Sequence, residues 1–79
     1  MLVEEAVSLV KNRYPDKKLI SYRDLGDKFV FEYQAEESDM FMGIPMDVTI
    51  SVDAKTGKVE NFLPQFDERF FDSIPKGME

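Results

Sequence analysis

The residues able to do chemistry in this chain are carboxylates, because little else is available. Glu36, Glu37, Asp39, Asp47 and Asp53 crowd one stretch and could supply an acid/base pair or hard oxygen ligands for a cation. Their spacing fits no calcium-binding loop. Asp53-Ala54-Lys55-Thr56-Gly57 explains itself as turn chemistry, an aspartate accepting from nearby backbone N–H groups and a glycine free to take left-handed angles. The chain has no cysteine, which removes thiolate chemistry, disulfides and thiolate metal centres. It has no histidine, the usual general base and commonest metal ligand. No catalytic residue, metal or cofactor is therefore assigned, and the expectation is a protein without enzymatic activity.

The same carboxylates have a second use. Residues 29–54 contain Glu32, Glu36, Glu37, Asp39, Asp47 and Asp53 and no Lys or Arg. The segment thus carries −6, equal to the net charge of all 79 residues. A field of one sign steers partners of the opposite sign. An acidic balance disfavours nucleic acid, where Lys and Arg must neutralise phosphates. Inside the acidic segment lies Met40-Phe41-Met42-Gly43-Ile44-Pro45-Met46, a connection rich in adaptable apolar side chains. Glu36, Glu37, Asp39, Met40, Phe41, Met42 and Asp47 form the candidate partner-binding set, an apolar centre with an acidic rim suited to a basic protein. The alternative is that Met40, Phe41 and Met42 fold down as a lid on the core. A second apolar excess, Phe62, Leu63, Phe66, Phe70 and Phe71, exceeds what one face of a short helix can bury. Packing at a sheet edge is one outlet, and a homodimer through Phe62, Phe66, Phe70 and Phe71 is another.

Seventy-nine residues, 43% hydrophobic, make one small domain (residues 1–79) with a modest core. Val3, Ala6, Val7, Val10 and Tyr14 recur at helical spacing, so Leu2 to Arg13 reads as a helix that Pro15 ends. Four strands follow: Lys18 to Leu25, Lys28 to Ala35, Met46 to Val52 and Lys58 to Phe62. The first puts Ile20 and Tyr22 on one face. The second sets Phe29, Phe31 and Tyr33 on one face and Lys28, Val30, Glu32 and Gln34 on the other. The third alternates Met46, Val48, Ile50 and Val52, buried, with Asp47, Thr49 and Ser51, wet. Glu36 to Pro45 reads as a loop. Asp67 caps a short helix, Glu68 to Ser73, and Pro75 to Glu79 is expected to fray. Short connections make the strands an antiparallel meander, and the first helix covers its buried face. The fold class is α+β, an N-terminal helix on a four-stranded antiparallel meander with a short C-terminal helix.

Three stretches resemble the PepSY and PepSY-like domains of bacteria. They are the helix from Glu5-Ala6-Val7 to Tyr14-Pro15, the aromatic strand Phe29-Val30-Phe31-Glu32-Tyr33, and Ile50-Ser51-Val52-Asp53-Ala54-Lys55-Thr56-Gly57-Lys58-Val59. The last looks like that family's V-D-x-x-T-G-x-V hairpin. The resemblance implies a small inhibitory or regulatory module with a helix packed on an antiparallel sheet. A looser likeness, completed by Asp67-Glu68-Arg69-Phe70-Phe71, is to small bacterial immunity proteins and implies an inhibitor of a basic toxin. Neither supplies a catalytic residue. A small-molecule sensor with an apolar pocket under Met40 to Met46, or a weak carboxylate hydrolase, are readings of other classes. No apolar run approaches the roughly 18 residues that span a membrane. The opening Met1-Leu2-Val3-Glu4-Glu5 is acidic where an export signal is basic, so the expected location is the cytoplasm.

Overall fold

The computed structural model describes residues 1–35, 40–42, 44–45 and 48–78, with 40, 41, 44 and 45 described by backbone alone. Helix α1 spans Val3–Arg13. It starts where the Glu5 carboxylate accepts the Leu2 N–H at 3.2 Å. Glu4 and Glu5 occupy its first turn and Lys11 and Arg13 its last, matching the helix dipole. The strands are β1 (Leu19–Asp24), β2 (Lys28–Tyr33), β3 (Met40–Phe41), β4 (Ile44–Pro45), β5 (Thr49–Asp53), β6 (Val59–Asn61) and β7 (Lys76–Gly77). A 3-10 turn, Pro64–Phe66, and helix α2, Arg69–Asp72, lie between β6 and β7.

The main sheet is antiparallel with five strands, in the order β6-β5-β2-β1-β7. Its centre is the expected meander of four. The fifth strand corrects the expectation of a frayed end: Lys76 and Gly77 pair with Tyr22 and Ser21, and the Met78 N–H donates to Ile20 O at 2.9 Å. Met78 packs against the core, which anchors the segment. The expected loop from Glu36 to Pro45 also contains pairing, since β3 and β4 form a separate two-stranded ladder.

The α1 side of the sheet holds the main core: Ala6, Val10, Leu19, Phe29, Phe31, Tyr33, Ile50 and Val52. Val3, Val7, Leu9 and Tyr14 pack against it, completing the helix stripe. Tyr22 meets Phe31 and Phe29 with ring centroids 6.0 and 6.5 Å apart. Ile20 does not join them as expected. The β1–β2 register slips between Leu19 and Ser21, and this bulge inverts the alternation. Leu19 and Tyr22 therefore both face the core, while Ile20 is exposed.

The opposite face is not wet. Val30, Phe62 and Phe70 form a second buried cluster, with Leu25 beside it. The expected wet residues of β5, Thr49 and Ser51, are buried there. Thr49 stays satisfied because its hydroxyl donates to Phe62 O at 2.6 Å. The sheet is covered on both faces, by α1 on one and by Phe62 and the Phe70 of α2 on the other.

Candidate protein-contact surfaces

Most of the acidic and methionine set falls outside what is described. Glu36, Glu37, Asp39, Met46 and Asp47 lie outside the described residues, and so do the side chains of Met40 and Phe41. Met42 is described: it follows β3 with φ 52 and is 86% exposed. A large apolar residue in the left-handed region is uncommon. At that exposure Met42 does not act as a core lid.

The two remaining acidic residues of the segment are occupied by the fold. Asp53 Oδ1 accepts the N–H groups of Lys55 and Thr56 at 2.8 and 2.9 Å, and Asp53 O accepts the Gly57 N–H at 2.8 Å. Donation first from Thr56 and then from Lys55 holds the Asp53 carboxyl below its ordinary range. Gly57 closes this turn at φ 77, as its sequence pattern predicts. Glu32 lies on the α2 side, 3.4 Å from Arg23 Nε. Among the described residues, no three Asp, Glu, His or Cys side chains gather in a way that would hold a metal ion.

Two arginines fasten the C-terminal cap. Arg23 enters from β1, with its side chain 15% exposed, and its guanidinium stacks 4.0 Å from the centre of the Phe70 ring. Its Nη1 donates to Phe70 O and, at 3.2 Å, to Ser73 O, the carbonyls at the end of α2. Arg69, at the start of α2, reaches back to the β1–β2 turn. It donates to Leu25 O at 3.3 Å and Asp27 Oδ1 at 3.0 Å, and it pairs with Asp67 at 2.7 Å. The Arg69 side chain, together with its backbone N–H, draws the Asp67 carboxyl below the ordinary range. Asp67 sits one residue before the helix N-cap, Glu68, yet accepts the Arg69 N–H at 3.1 Å. The capping role expected of Asp67 is thus performed from one position earlier in the chain.

The aromatic cluster of the C-terminal region splits in two. Phe62 and Phe70 are buried with ring centroids 5.7 Å apart. Phe66 and Phe71 are 79% and 68% exposed, and Ile74 is exposed as well. Phe71 stands perpendicular to Phe70 at 5.4 Å, so its far edge meets solvent. A groove of about 320 Å³ beside β6 is lined by Lys28, Ser51, Glu60, Phe62, Leu63 and Phe66 among others. Of the four residues expected to support a homodimer, then, only Phe66 and Phe71 present their rings outward. Sequence reasoning identified the excess of aromatic side chains but not this division.

These features define a small α+β domain whose sheet is capped on both faces and whose C-terminal cap carries exposed apolar side chains. No protein-family model, curated protein or solved structure matches the chain. Among the described residues, no helix is long and apolar enough to cross a membrane.

Proposed function

We propose that this chain is a non-catalytic protein-binding or inhibitory module, PepSY-like in its pattern, that works by surface contact. The carrying observation is a contrast within the C-terminal cap. Four charged groups there, Arg23, Asp27, Asp67 and Arg69, are engaged in holding the fold. Phe66, Phe71 and Ile74 hold large apolar surfaces in solvent. Exposed aromatic side chains are characteristic anchors of protein interfaces, and they lose water on docking. The test is affinity capture with the full chain and with a Phe66→Ser/Phe71→Ser variant of unchanged circular dichroism. A partner held by the first and released by the second is the expected result. Identical captures from both would overturn the assignment of the surface.

A second surface on the same module is supported by the exposure of Met42 next to an acidic segment. In this reading Glu36, Glu37, Asp39, Met40, Phe41, Met42 and Asp47 take a basic protein, of which a toxin is the sharpest example. Glu36→Lys with Glu37→Lys slows association and changes its salt dependence, whereas Phe41→Ala speeds dissociation. A stopped-flow comparison with no change in either rate would sink it.

A further inference from the structure

The sheet has two edges, and they differ. β7 is two residues long and follows Pro75, which has no N–H to offer. Because Met78 donates to Ile20 O, antiparallel alternation turns Lys76 and Met78 toward β1 and leaves only Gly77 facing outward. β6 is open. Asp53 donates to Lys58 O at 2.9 Å and Phe62 to Thr49 O at 3.1 Å, so the backbone groups of residues 58, 60 and 62 face β5. Those of Val59 and Asn61 face away from the sheet, available to another strand.

We propose that β6 is a self-pairing edge, where two copies of this chain join antiparallel about a twofold axis into one continuous sheet. The occupant is identified by charge. Lys58 and Glu60 are well exposed, and their charged ends lie 3.8 Å apart. With Val59 opposite the partner's Val59, Lys58 stands opposite the partner's Glu60, and the converse pair forms by symmetry. Val59 then exchanges N–H···O=C bonds with its counterpart, which makes the Lys–Glu pairs the closely spaced, non-hydrogen-bonded kind. Four charges alternate in sign across the seam. Of the other antiparallel registers, Val59 opposite the partner's Asn61 would set Glu60 against the partner's Glu60, which like-charge repulsion disfavours, and Asn61 opposite the partner's Asn61 would set Glu60 against the partner's Phe62 and forms no charge pair. On the α2 side the seam runs beside the groove that Glu60 lines together with Leu63 and Phe66. One open edge on the main sheet gives an isologous contact that closes at two copies, not a filament. The seam borders the aromatic cap at Phe66, but Lys58 and Glu60, the residues that test it, belong neither to that cap nor to the acidic segment, so the two readings fail separately.

Sedimentation equilibrium of the full chain over a wide concentration range is the test. A reversible dimer is expected. Glu60→Lys should weaken it by roughly tenfold or more, since both cross-strand pairs become repulsive. Lys58→Glu combined with Glu60→Lys should restore it to within about threefold, because the alternation is regained with signs exchanged. Glu60→Gln should weaken it in this register, whereas it would tighten a dimer that sets Glu60 against Glu60. The proposal is overturned by a chain that stays monomeric throughout. It is equally overturned by a dimer indifferent to Glu60→Lys, by one tightened by Glu60→Gln, or by one that Phe66→Ser disperses while Glu60→Lys leaves it intact.

Discussion

The two faces of the sheet are built on different principles. On the α1 face, eight buried residues from one helix and three strands interlock, and the buried cluster is apolar throughout. On the α2 face, among the described residues, only Val30, Phe62 and Phe70 are buried apolar groups. The cap there is held by directional contacts: a stacked guanidinium, arginine bonds to carbonyls, a threonine hydroxyl bonded to the main chain. Burial of apolar area is non-directional and tolerant, while polar fastening depends on each partner being present. The contrast places global stability on one face and local adjustability on the other.

Phe31→Ala is the most damaging test of that contrast. Phe31 has no exposure, and its truncation leaves a cavity between α1 and the sheet. The expected loss is roughly 3–5 kcal/mol, comparable to the whole stability of so small a domain. A variant that melts cooperatively near the wild-type temperature would refute the α1 face as the main core. Phe70→Ala comes next, at about 2–3 kcal/mol, because its site borders solvent and can relax. Native-state hydrogen exchange should then show residues 62–73 opening while α1 and β2 keep their protection. If every amide loses protection equally, the cap is not a separable unit.

Gly57→Val should cost about 1–2 kcal/mol in chemical denaturation, since φ 77 is strained for a β-branched residue. The side chain would also meet Leu9 Cδ1 and Met1 Cε at 3.4 Å, so the α1 face feels the change. A neutral result would contradict the left-handed turn. The smallest effect is electrostatic. Asp53 and Asp67 both have folded pKa values below the ordinary range. Each therefore contributes stability above about pH 4, and that contribution is lost as the pH falls through the depressed folded value. Asp53→Asn and Asp67→Asn should each flatten the acid limb of a pH–stability curve. An unchanged limb would mean that neither carboxylate is held as described.

Legibility in the sequence followed the same division. The α1 stripe, the row Phe29, Phe31 and Tyr33, and the left-handed Gly57 were all readable, because local periodicity and turn chemistry determine them. Ile20 was misassigned because a bulge shifts the phase of alternation and leaves no mark in composition. Thr49 and Ser51 look wet to any reading that gives the sheet a single buried face. They are buried because a segment more than ten residues away folds over them. β7 carries no strand signal, with a proline before it and a glycine inside it, and exists because β1 offers it a ladder. For the contact surfaces, the excess of aromatic side chains was visible, but its split into inner Phe62 and Phe70 and outer Phe66 and Phe71 depends on the path of the cap. Of the acidic and methionine set, Met42 alone is described with its side chain.

The strand order also sets a sequence of events during folding. β1 with β2 and β5 with β6 are hairpins whose short turns cost little chain entropy to close, and β2 with β5 bridges a moderate excursion. β1 with β7 is different, since Tyr22 must find Lys76 across most of the chain. Contacts so far apart in sequence become favourable only after nearer ones have shortened the effective loop. On loop-closure grounds the meander and α1 are expected to form ahead of the segment from Pro64 onward, with the fifth strand joining the sheet last.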